Sequence, residues 1–139
     1  MSNTNTQFSI AVHILTGLAK FGKLNSNELA VSVNANPIFI KRILAKLSSA
    51  GLVSTSSGRN GGSTLARKAE DISLYDVYIA VEAPHTFMVH GYPKNSSCEI
   101  SSNIQGAMSE VLEEVQSDLK AKLTSISIHD MGKKVVKKK

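Results

Sequence analysis

Between Asn25 and Gly51 the sequence ends one helix and begins another within three residues, and few folds need that. Asn25-Ser-Asn-Glu28 sets a side-chain acceptor three residues ahead of a glutamate, so that each side chain can take up the other's backbone N–H at a helix start. The short helix that follows carries Leu29, Ala30 and Val33. Asn34-Ala35-Asn36 forms a turn, and Asn36-Pro37 starts the next helix. Asparagine caps, and proline suits the first turn because its missing N–H needs no partner there. This helix is predicted from Pro37 to about Ala50, where Gly51 stops it.

The flanking segments complete the pattern. Phe8, Ala11, Val12, Leu15, Leu18 and Ala19 recur at helical spacing and predict an amphipathic helix over 6–21, closed by Gly22. After Gly51 the period changes. Leu52-Val-Ser-Thr55 and Ser63-Thr-Leu-Ala66 read as two short strands joined by Ser57-Gly-Arg-Asn-Gly-Gly62, a turn rich in residues that tolerate positive φ. Ser73 caps a further helix with Leu74, Val77, Tyr78 and Val81 on one face, ended by Pro84. Residues 85–103 show no period and read as a loop.

From Ile104 to about Ser125 a long helix is predicted. Ile104, Met108, Val111, Val115, Leu119, Leu123 and Ile126 give it one narrow apolar stripe. It would extend about 30 Å, and the rest of the chain offers little core for that length. The simplest partner is a second copy of the stripe in a homodimer; the alternative is packing on the chain's own first helix. The expected fold class is mainly α with a small β-hairpin wing, a winged helix-turn-helix plus a long C-terminal dimerisation helix. The division expected is 1–82 as DNA-binding domain, 83–103 as sensor or linker loop, 104–131 as dimerisation region and 132–139 as a disordered basic tail.

Charge points the same way. Residues 1–69 hold eight bases and a single acid, Glu28, whereas residues 70–132 hold ten acids and three bases. One half is built to meet a polyanion. On the third helix Ile40, Ile43, Leu44 and Leu47 share the side expected in the core. Ile38, Arg42, Ala45 and Ser49 lie opposite, flanked by Lys41 and Lys46. A small, basic outer face is what the major groove of double-stranded DNA admits. Arg42 can make two parallel hydrogen bonds to guanine, while Lys41 and Lys46 suit phosphates, which position without specifying. At the hairpin tip Arg59 and Asn60 sit among glycines, where an arginine can enter the minor groove. The turn is not a nucleotide phosphate loop, because Gly62 is followed by Ser63-Thr64 and not by the lysine that such loops require.

Gly51-Leu-Val-Ser54, Gly58-Arg-Asn-Gly-Gly62, Leu65-Ala-Arg67, Ile72-Ser-Leu-Tyr-Asp-Val77 and Ala80-Val-Glu82 together resemble the Rrf-type winged-helix transcriptional regulators, the family of IscR, NsrR and CymR. The resemblance runs from Phe8 to Met131. It implies a homodimer joined by the long helix, binding a partly palindromic operator and usually repressing. It also implies DNA contacts from Ile38, Lys41, Arg42, Arg59 and Asn60, with Ser57 standing where the family's wing often has arginine. An aromatic often stands at the position of Ser63. Cluster-binding members place three cysteines in the loop before the long helix, but this chain has only Cys98. A three-thiolate iron–sulfur site cannot be built from one cysteine, so no such cofactor is expected.

Cys98, near the start of the long helix, is the candidate redox sensor, since thiolates are stabilised at helix starts. An unreactive thiol is the plainer reading. His85 and His90 in the same loop could join it at a metal, but their spacing is irregular and no metal site is expected. The sequence identifies no small-molecule effector. It has no nucleophile motif or paired-carboxylate pattern, so an enzyme is not expected. Glu110, Glu113, Glu114 and Asp118 read as a solvated face opposite the stripe. With no long apolar run and a polar, uncharged start, a cytoplasmic protein without a membrane span is expected. The competing reading is a winged-helix adaptor that binds protein and has lost its operator.

Overall fold

The computed structural model describes residues 4–83 and 87–136. Their elements run α1 (Thr4–Phe21), α2 (Ser26–Val33), α3 (Pro37–Ser49), β1 (Val53–Ser56), β2 (Gly62–Leu65), α4 (Leu74–Ala80), α5 (Glu99–Thr124) and α6 (Ile128–Val135), with a 3-10 turn at Ala69–Asp71. Two compact units divide them. The first holds residues 4–83 and 123–136, the second 87–122.

In the first unit, the caps form as their sequences dictate. Asn25 accepts from the Glu28 N–H at 2.8 Å while Glu28 accepts from the Asn25 N–H at 2.9 Å. Helix α2 ends on Asn34, whose φ of 65° is left-handed, and its N–H reaches the Ala30 carbonyl. Two residues later the Asn36 side chain accepts from Ile38 N–H at 2.8 Å and α3 begins with Pro37. The turn is short because both of its asparagines satisfy helix ends. Ile40, Ile43, Leu44 and Leu47 are the buried face of α3. They pack with Ile14, Leu15 and Leu18 of α1, Leu29 of α2 and Val77 and Val81 around α4. Each such side chain contributes about 1.5–3 kcal/mol by leaving water.

The two strands are antiparallel, with Val53 opposite Leu65 and Ser56 opposite Gly62. The hairpin is anchored along β2, one pair from its turn. Leu24 exchanges two backbone hydrogen bonds with Ser63, at 2.8 and 3.2 Å. Ser63 is consequently buried and its hydroxyl lies 3.0 Å from that of Thr55.

The segment after α5 departs from expectation. The stripe does not continue through Ile126, because α5 ends at Thr124. The Ile126 carbonyl accepts from Leu74 N–H and the Ile128 N–H donates to the Ile72 carbonyl, both at 2.8 Å. A capping box between Ser127 and Asp130 then starts α6. The Ser127 backbone N–H holds the Asp130 carboxyl below its usual pKa, against the opposing effect of desolvation. Ile128 is fully buried in the core. Residues 132–135 thus belong to a packed helix, not to a disordered tail, and residues 125–131 are not part of the long helix.

In the second unit α5 begins at Glu99, one turn earlier than the apolar period indicates. The extra turn is organised by polar groups. The Asn95 carboxamide accepts from the Ser97 N–H and hydroxyl, and Ser101 Oγ accepts from the Asn95 N–H at 2.7 Å. None of the α5 residues is buried: Ile104, Met108, Val111 and Val115 are 37–51% exposed. Glu110, Glu113, Glu114 and Asp118 are all exposed. No helix among the described residues is long and apolar enough to cross a membrane.

Candidate nucleic-acid interface

The turn between α2 and α3 and the buried face of α3 leave Pro37, Ile38, Lys41, Arg42, Ala45, Ser48 and Ser49 exposed. Ile38 is 67% exposed, unusual for a large aliphatic side chain inside a helix. The wing stands beside this face. A hollow of about 580 Å³ lies between them, lined by Lys41, Ala45 and Ser48 of α3, Ser57 and Arg59 of the wing, and Asn25–Asn27 at the start of α2. The structure therefore brings Lys41, Ser57 and Arg59 to one concavity. Arg42 and Asn60 are exposed outside its lining.

The wing tip is shaped by two glycines. A Cβ on Gly61 would lie 2.4 Å from the Ser56 carbonyl oxygen, closer than any real contact. Gly58 supplies a φ of 99°, and its carbonyl accepts from the Gly61 N–H. These contacts hold Arg59 and Asn60 at the outer end of the turn.

Lys46 is placed differently from its expected role. It is half-buried, and its ammonium donates to Gln7 Oε1 of α1 at 2.8 Å. Here it ties α3 to α1. Arg67, another base of the N-terminal half, lies 3.7 Å from Asp76 of α4. Asn25, Ser26 and Asn27 line the hollow but were legible in the sequence only as cap residues; their signal is the run of small polar side chains at a helix start.

Cys98 is half-buried just before α5, and its Sγ accepts from the Ser101 N–H at 3.5 Å. Gln105 Nε2 lies 3.2 Å from His90 Nδ1, and His90 packs at 5.9 Å from the Tyr92 ring. His85 lies outside the described residues. Among the described residues no three His, Cys, Asp or Glu side chains converge as a metal site. A single thiol with serine and asparagine neighbours does not match the donor set of an iron–sulfur cluster.

Two helices meeting at a three-residue turn, followed by an anchored hairpin beside the second helix, define a winged helix-turn-helix. The family model described as "Iron-dependent Transcriptional regulator", Rrf2, matches residues 4–134, and the chain belongs to the Rrf2 family. The chain is 35% identical over 128 residues to YwnA of Bacillus subtilis (strain 168), provisionally assigned as an HTH-type transcriptional regulator; the match covers 91% of this chain and 95% of YwnA. A crystal structure of a provisionally assigned transcriptional regulator from Lactobacillus plantarum superposes with a TM-score of 0.78 at 27% identity, covering 91% of this chain and 87% of that one. The B. subtilis cysteine regulator CymR shares the fold, with a TM-score of 0.63 at 22% identity over 97% of this chain and 99% of CymR. The family is one of DNA-binding transcription regulators.

Proposed function

We propose that this chain is a homodimeric, sequence-specific DNA-binding regulator that lays α3 in the major groove and its wing in the adjacent minor groove. The observation that carries this reading is the exposed, basic face of α3 standing beside an arginine-tipped wing across a shared hollow. Arg42 would read a guanine edge and Ile38 a thymine methyl; Lys41 would hold a phosphate and Arg59 the narrow groove. Ser57 and Asn60 would add hydrogen bonds to the sugar–phosphate backbone. Lys46, bonded to Gln7, would position α3 as well as approach the backbone. Repression and a partly palindromic operator follow from the family resemblance.

The exposed part of the stripe, Ile104, Met108, Val111 and Val115, supports the dimer; Leu119 is half-buried, and Leu123, expected in the same seam, packs instead against the chain's own core. A row of half-exposed aliphatic residues on a 26-residue helix is favoured in water only when another apolar surface covers it. A second copy would place two recognition helices on successive half-sites.

The experiment is selection of bound sequences from a random duplex library by the full chain and by Arg42→Ala. The reading expects one enriched motif with two related half-sites, relaxed at one base pair per half-site by Arg42→Ala. Recovery of no motif would favour the adaptor reading.

A further inference from the structure

Helix α1 borders a second concave surface that DNA recognition does not use. Two adjoining hollows of about 570 and 650 Å³ share Thr16, Lys20 and Val135, and each lies in the size range of small-molecule sites. Their chemistry differs. The first is walled mainly by Phe8, Val12, Phe21, Leu74 and Met131. Its polar edge includes His13, whose Nε2 lies 2.9 Å from Ser32 Oγ. The second collects Lys20 from α1, Lys68 from the stretch after β2 and Lys133 from α6, with Glu70 as the carboxylate in its lining. Lys20 lies at the junction, its Nζ 5.7 Å from the Phe21 ring centre. Thr16 Oγ1 already donates to the Val12 carbonyl, so the cationic donor at the junction is Lys20.

An apolar chamber opening onto a basic one is complementary to a molecule with an apolar body and one anionic head. We propose that this surface binds a small amphipathic carboxylate, its acyl or aryl body against Phe8, Val12 and Met131 and its head against Lys20. Burial of the body supplies most of the affinity, and the lysines select the charge. The site stands apart from α3 and the wing tip, so the proposal does not depend on operator binding.

The test is amide-resolved NMR of the full chain titrated with sodium octanoate, with octan-1-ol and sodium chloride in parallel. Saturable shifts from octanoate are expected at Thr16, Gly17, Lys20, Phe21 and Met131. Lys20→Gln should weaken octanoate about two- to fivefold, the range for an exposed ion pair, and leave octan-1-ol unchanged. Ser9→Trp, at an exposed rim position of the apolar hollow, should weaken both ligands. Unchanged amides elsewhere report that each variant is folded. Shifts that never saturate, or equal effects of Lys20→Gln on both ligands, would overturn the proposal. So would the same shifts appearing on raising protein concentration without ligand, which would mean that a second copy covers the surface.

Discussion

Replacing Ile128 by alanine tests the part of the fold that composition hides. Ile128 is fully buried, and its backbone N–H is bonded to Ile72. The substitution removes three carbons, worth about 0.8 kcal/mol each in transfer from water, or about 2.4 kcal/mol. A cavity among Ile72 and the α1 side chains adds to this, so the loss should fall at about 2–5 kcal/mol. Urea unfolding followed by circular dichroism at fixed chain concentration measures it, with an unchanged slope showing that the same surface is exposed. Val135→Ala, at a half-exposed position on the same helix, is the control and should cost no more than about 0.5 kcal/mol. A loss below about 1 kcal/mol for Ile128→Ala would show that α6 is not part of the core, and the reasoning that docks it through the Ile72 and Leu74 backbone would fail.

Arg42→Ala should weaken binding to the selected operator by about 1–3 kcal/mol, the scale of one bidentate base contact, read by fluorescence anisotropy. Val115→Glu should reduce the mass seen by light scattering to that of one chain. Val115 is exposed in the single chain, so the new charge is buried only where a second copy covers it. Gly61→Ala should destabilise the wing by about 1–3 kcal/mol, because its Cβ meets backbone and not a side chain that can swing away. Hydrogen exchange of the β1 and β2 amides reports that loss, and operator affinity should fall with it.

What the sequence made legible is what neighbouring residues decide among themselves. The caps at Asn25, Asn36 and Ser73 each close within three residues, and the buried face of α3 follows from its period. Arg59 at a glycine turn and Lys41 on the outer face of α3 are similarly local. The parts that the sequence did not show depend on distant partners. Lys46 finds Gln7 across 39 positions, a contact that its charge alone does not announce. The docking of α6 follows from backbone bonds between Ile126 and Leu74 and between Ile128 and Ile72, which no local pattern encodes; its Ser127–Asp130 capping box is local, but its lysines gave it the composition of a tail. The first turn of α5 is set by Asn95, Ser97 and Ser101, polar residues that otherwise read as loop.

The central claim is that α3 and the wing grip DNA by charge and read it by sequence. Binding of the full chain to the selected duplex and to a scrambled duplex, measured across a series of salt concentrations, tests it most directly. The account predicts that affinity for both falls steeply and linearly on logarithmic axes as salt rises, with a preference for the selected duplex of about a thousandfold or more at physiological salt. Equal affinity for the two duplexes at every salt concentration would contradict it.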